Sequence, residues 1–192
     1  MRQAKIKRNT LETNIDLKLN IDGNKELTID SGIGFFDHML KAMSFYAGFD
    51  LDLKCHGDLE VDAHHTVEDV GIVYGTALRE AVGDRKGIKR FSSTITPMDE
   101  ALVLVAIDIS NRPFIVDNLS FLSHKIGDMD SQDFKEFFRA FAFASGITLH
   151  IDVMRGENDH HKIEAVFKGL GRALKEGIII ESNQVISTKG VL

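Results

Sequence analysis

The 192-residue sequence predicts an α+β fold made of two tandem, duplicated ββαβα halves, with helices packed on one face of mainly antiparallel sheets. Two observations carry the prediction. His64-His65-Thr66-Val67-Glu68 is echoed by His160-His161-Lys162-Ile163-Glu164, each at the start of a stretch with helical periodicity. Aligning Gly48 with Gly146 extends the echo: Leu51, Leu53 and Cys55 meet Leu149, Ile151 and Val153, and Met39-Leu40-Lys41-Ala42 meets Phe137-Phe138-Arg139-Ala140. The halves are expected at 1–91 and 92–192, the second carrying a C-terminal tail.

The elements follow in order. Ile15, Leu17, Leu19 and Ile21 alternate with polar residues as a half-buried strand does. Asp22-Gly23-Asn24 reads as a hairpin turn into a strand at 26–29. A helix is expected near 35–47, stopped by Gly48, then a strand over 50–55 and the motif helix at about 65–82. The second half predicts strands near 100–109 and 113–121, a helix near 132–145, a strand over 147–153 and a helix near 160–176. Cys55, alone of its kind and on an alternating strand, reads as a core thiol.

Composition excludes several classes. A net charge of −6 with no basic stripe argues against nucleic acid. No apolar run reaches the roughly 18 residues of a membrane span, and the first ten residues are too polar for a signal peptide, so a cytoplasmic, non-membrane protein is expected.

The repeated motif reads as metal ligands. At about 100° per residue, the first His stands at 0°, the second at about 100°, and the Glu returns to about 40°. Neighbouring rings therefore point to different sides of one carboxylate, which suits two ions, or an ion shared with another chain, better than one site closed by one helix. The same internal alignment sets His38 against Glu136, adding one ligand-type residue to each half.

At these residues the chain resembles the imidazoleglycerol-phosphate dehydratase family. The likeness runs through Arg8-Asn9-Thr10-Leu11-Glu12-Thr13, Phe36-Asp37-His38-Met39, Asp62 to Asp69, Pro97-Met98-Asp99-Glu100, Asn158 to Lys168 and Ser187-Thr188-Lys189-Gly190. The resemblance implies a hydro-lyase of histidine biosynthesis that converts D-erythro-imidazoleglycerol phosphate to imidazoleacetol phosphate. It also implies a homo-oligomer of trimers assembled into a 24-mer. Two Mn²⁺ ions per active site would stabilise the substrate imidazolate, through His38, His64, His65, Glu68, Glu136, His160, His161 and Glu164. Carried over likewise, Glu12 is the catalytic acid/base, and Arg90, Arg112, Lys168, Ser187 and Lys189 join Glu12 in binding substrate, the basic ones at its phosphate. Asp37, next to a ligand, is expected to orient a ring.

The chain departs from its relatives in places: Glu136 and Tyr46 stand where some carry histidine, Ile186 where proline is usual, and Lys162 where an apolar residue is common. Residues alone leave a surface strand glutamate open for Glu12 and an i,i+4 salt bridge with Glu164 open for Lys168. Two other functions stay open, a dinuclear metallohydrolase of a small phosphorylated substrate and a non-catalytic metal-binding shell. The first lacks the H-E-x-x-H order of zinc hydrolases, and the second has no use for Glu12 or a cationic tail.

Overall fold

The computed structural model describes residues 1–184; Ile186, Ser187 and Lys189 lie outside the described residues. Its elements are β1 (Gln3–Asn9), β2 (Thr13–Asn20), β3 (Leu27–Asp30), α1 (Gly34–Ala47), β4 (Asp50–Gly57) and α2 (His64–Val82), then β5 (Phe91–Met98), β6 (Ala101–Asp108) and β7 (Phe114–Asp117). A short pair, β8 (Lys125–Ile126) and β9 (Met129–Asp130), precedes α3 (Asp133–Ser145), β10 (Thr148–Arg155) and α4 (Asp159–Gly177).

The duplication is plain in the topology. One sheet has the order β1-β2-β4-β3 and the other β5-β6-β10-β7, each with one parallel pair, β3 on β4 and β7 on β10, among antiparallel ones. Apart from the short β8–β9 pair, each half thus has three strands of its main sheet before its first helix, βββαβα, so the ββαβα unit gains a leading strand.

Both leading strands escape the hydrophobic pattern for physical reasons. The edge strand β1 interleaves Lys5 and Lys7 with half-buried Ala4 and Ile6. In β5 the alternation is inverted: Ser92, Thr94 and Thr96 are buried beneath α4 while Phe91 and Ile95 are exposed. Thr94 Oγ1 donates to the Gly169 carbonyl at 3.0 Å, so small polar residues serve a close helix contact. The expected hairpin at Asp22-Gly23-Asn24 is also corrected, since β3 runs parallel to β4 instead of folding back on β2. The Asp50 carboxylate holds that crossover by accepting from the Asn24 and Glu26 amides at 2.6 and 2.9 Å.

The helices lie between the two sheets, α1 and α2 on the first and α3 and α4 on the second, with α1 packing on α4 and α2 on α3. Burial of Phe36, Phe134, Phe137, Phe138, Phe141 and Phe167, all 0% exposed, makes this region the core. Two equivalent glycines, each eleven residues after the first motif histidine, let the helices approach. A Cβ on Gly75 would meet the Phe141 carbonyl oxygen at 2.6 Å, and one on Gly171 the Met43 oxygen at 2.2 Å. Gly48 and Gly146 stop α1 and α3 in the left-handed conformation, at φ 79° and 73°. Cys55 is buried and its thiol is pushed up to about 12 by desolvation. No helix among the described residues is long and apolar enough to cross a membrane.

Candidate metal centre

Both motifs lie in the first turn of their helices, His64 and His65 on α2 and His160 and His161 on α4. Asn158 caps α4, its side chain accepting from the amides of His160 and His161 at 2.9 and 3.3 Å.

Helix pairing gathers the first group. His38 on α1 reaches across to α4, where its Nε2 is 3.6 Å from Glu164 Oε2, and His160 Nε2 is 2.9 Å from the same oxygen. One ligand atom from each of His38, His160 and Glu164 lies within 4.8 Å of the others, the spacing of ligands around one cation. Burial pushes the Glu164 carboxyl up, but Lys168 Nζ at 2.8 Å and His160 outweigh it and hold it below its ordinary value. The i,i+4 contact of Lys168 with Glu164 is thus present, and Lys168 adds a cation beside the cluster.

The equivalent place on α2 is looser. His64 Nε2 is 4.0 Å from Glu68 Oε2, and His64 Nδ1 is 3.7 Å from Asp133, whose carboxyl is pushed up by burial. Glu136, one turn along α3, pairs with Arg139 at 3.4 Å.

The second histidine of each motif turns away, as the helical angles require; the paired ring centroids are 6.0 and 6.2 Å apart. Each meets its own carboxylates. His65 Nδ1 is 3.0 Å from Asp58 and its Nε2 is 3.7 Å from Glu12, while His161 Nδ1 is 2.7 Å from Glu100 and its Nε2 is 3.6 Å from Asp99. Both imidazoles are raised above their ordinary value, His65 by the hydrogen bond to Asp58 and His161 by that to Glu100, whose own carboxyl falls to about 2. A carboxylate on Nδ1 orients a ring and leaves Nε2 as the outward ligand atom. Imidazole with carboxylate is a donor set that suits divalent transition metals, so the residues present fit a metal.

Glu12 sits on the β1–β2 turn beside His65. That turn is tied down from beneath by Asp69, 7% exposed, which pairs with Arg8 at 2.9 Å and accepts from Thr13 Oγ1 at 2.5 Å. Asp37, expected to orient a ring, instead accepts from the Ser31 amide and hydroxyl at 2.9 and 2.6 Å, fixing the entry to α1.

Arg90 and Arg112 lie elsewhere. The Arg90 amide donates to the carbonyl of Gly177, at the far end of α4, at 2.9 Å. Gly177 is thirteen residues beyond Glu164, about 20 Å at 1.5 Å per residue. Arg112 joins Arg90 there through the Asp108 carboxylate.

Helical spacing gave the histidines and their i,i+4 glutamates. It missed Asp69, which lies on α2 itself but faces the β1–β2 turn, and Asp58, Glu100 and Asp133, which come from other elements; the only signal was that Asp69 and Glu100 fall inside the motifs named above.

Comparison with known proteins identifies the family. A family model described as imidazoleglycerol-phosphate dehydratase matches residues 31–174. The imidazoleglycerol-phosphate dehydratase of Clostridioides difficile is 58% identical over 192 residues, all of both chains. The crystal structure of the Pyrococcus furiosus enzyme, a complex with (S)-C348, superposes with a TM-score of 0.85 at 41% identity, covering 97% of this chain and 100% of that one. The Staphylococcus aureus enzyme gives 0.83 at 37% identity, over 91% of this chain and 97% of its own. The chain belongs to the imidazoleglycerol-phosphate dehydratase family of carbon–oxygen lyases.

Proposed function

We propose that this chain dehydrates D-erythro-imidazoleglycerol phosphate to imidazoleacetol phosphate in histidine biosynthesis, in the cytoplasm, with two manganese ions per active site. The observation that carries the reading is the His38–His160–Glu164 cluster, built from both halves and flanked by a lysine. His64, Glu68 and Glu136 are the corresponding ligands on α2 and α3, and the outward Nε2 atoms of His65 and His161 complete the ligand sets of the same two ions. When bound, the metal supplies Lewis-acid polarisation of the substrate's imidazole ring.

The chain's own residues do the rest. Glu12, protonated at first, gives its proton to the departing hydroxyl, which leaves as water, and as a carboxylate then takes the proton of the adjacent side-chain carbon to give the enol; its closeness to His65 supports that role. The enol left behind becomes the ketone by a further proton transfer. Lys168, Arg90, Arg112 and, in the tail, Ser187 and Lys189 bind the phosphate, the guanidinium groups offering paired N–H donors.

A single chain cannot bring all of these to one small molecule. The Arg90 end of α4 is about 20 Å from Glu164, farther than a three-carbon phosphate on an imidazole reaches. The site is therefore shared: one chain contributes its metal ligands and another its arginines, within trimers that assemble into a 24-mer.

The test is metal analysis of purified protein together with an assay for imidazoleacetol phosphate. Product formed with manganese supplied, and lost with His160→Ala, supports the reading. No product under those conditions overturns it, and release of inorganic phosphate instead would favour a hydrolase.

A further inference from the structure

Asp108, the last residue of β6, carries a carboxylate that serves two arginines at once. Its Oδ1 accepts from Arg90 Nε at 2.6 Å, and its Oδ2 accepts from Arg90 Nη2 at 3.1 Å and from Arg112 Nη2 at 3.4 Å. The two guanidinium groups would repel each other without a shared anion between them.

The two arginines are held unequally. The Arg90 side chain is 9% exposed, meets Asp108 through two N–H groups, and stacks with its guanidinium carbon 4.5 Å from the Phe91 ring centre. Its backbone is pinned as well, in the left-handed region at φ 73°, with its carbonyl accepting from the Ile109 amide at 3.1 Å. The Arg112 side chain is 65% exposed and touches Asp108 and Ser110 Oγ only at 3.4 Å. Yet the Arg112 backbone is anchored: its carbonyl accepts from Thr148 Oγ1 at 2.8 Å, and Asn111 before it turns the chain at φ 58°. One cation is thus fixed, and the other is tethered weakly on a rigid base.

We propose that Asp108 is a positioning residue that locks Arg90 and holds Arg112 poised beside it, so that together they form a clamp for the phosphate of the substrate. This rests on the reading above, in which both arginines serve the phosphate, and adds the residue that sets their geometry. Net charge at the clamp is +1, enough to attract a phosphate, while the long Arg112 contact is the one an incoming anion can displace. An anchored pair of guanidiniums loses less freedom on binding than two solvated ones.

Asp108→Asn is the test, with Asp108→Glu as the conservative partner and Arg112→Ala as the control. Asparagine keeps the size but turns an NH₂ group toward one guanidinium. Because the phosphate is remote from the bonds that change, losing the clamp weakens substrate and transition state alike. For Asp108→Asn the Michaelis constant and the inhibition constant for inorganic phosphate should rise together by about tenfold. Turnover at saturation, metal content and particle size should stay within about twofold of the parent. Asp108→Glu should recover part of the phosphate affinity. Parent-like constants in Asp108→Asn, even with a lowered melting temperature, overturn the proposal, as does a fall in turnover at an unchanged Michaelis constant. If Arg112→Ala raises the Michaelis constant while Asp108→Asn does not, only the role of Asp108 fails. If Arg112→Ala is also silent, the assignment of the arginines to the phosphate fails with it.

Discussion

His161 Nδ1 and Glu100 Oε2 stand 2.7 Å apart, joining the α4 motif to the tip of the β5–β6 hairpin. The other carboxylate oxygen of Glu100 accepts from the amides of Glu157 and Asn158 at 3.1 and 2.8 Å, so the group is held on both sides. This fixes the tautomer of His161 with its proton on Nδ1 and its lone pair on Nε2.

Glu100→Gln should reverse that tautomer. The amide oxygen would stay on the two backbone N–H groups, and its NH₂ would face Nδ1 and donate, moving the ring proton to the ligand atom. Metal affinity should fall by about 10- to 100-fold with the fold preserved. Titration of metal-stripped protein against a competing chelator measures it, and unchanged affinity would remove His161 from the ligand set.

Glu12→Gln separates chemistry from scaffold. The turn that carries Glu12 is secured by Asp69, Arg8 and Thr13, so the substitution should leave the backbone in place. Turnover should drop by about 10²- to 10⁴-fold while metal content and the inhibition constant of phosphate hold. Turnover near the parent's would return Glu12 to an ordinary surface position.

Gly75→Ala and Gly171→Ala probe the helix layer. Each new methyl would press on a carbonyl of the facing helix, at 2.6 and 2.2 Å, so one helix must move. Each should cost about 1–3 kcal/mol or more in stability. Gly171→Ala should in addition weaken metal binding, because the α1–α4 spacing sets the distance from His38 to His160. Thermal melts combined with metal analysis would expose either expectation as wrong.

Acid should loosen the first crossover. Backbone hydrogen bonds, foremost from Glu26, hold the Asp50 carboxyl below its ordinary value against a smaller opposing effect of burial. A lowered native pKa means that this stabilisation is present above the unfolded-state value and is lost as pH falls through the carboxylate range. Between about pH 5 and pH 3 the melting temperature of the parent should therefore fall faster than that of Asp50→Asn. Parallel curves would show that Asp50 contributes nothing titratable.

Much of this molecule was legible in its sequence, and the exceptions share a cause. The helices were readable because long apolar periodicity ends at Gly48 and Gly146, which take the left-handed turn that stops a helix. The strand β5 was not, because its buried side is Ser92, Thr94 and Thr96 and its exposed side holds Phe91 and Ile95. The parallel seat of β3 was hidden in the same way, since it depends on Asp50, more than twenty residues later. At the metal centre, a helix repeats its own geometry every turn, so His160 and Glu164 could be paired from spacing alone. Partners such as Glu100 for His161 come from another element at a distance no local pattern encodes.

The length of α4 makes the two ends of each chain separable goods. A chain damaged at His160 still carries intact arginines, and a chain damaged at Arg112 still carries intact metal ligands. Expressed apart, the first variant would be inactive and the second would work only at high substrate concentration. Dissociated, mixed and reassembled, they would form hybrid particles in which some interfaces unite the two undamaged ends, and those interfaces would turn over substrate. At low substrate, recovery of activity from the two impaired proteins would then serve as a direct reading of who lends what to whom across the contact between copies.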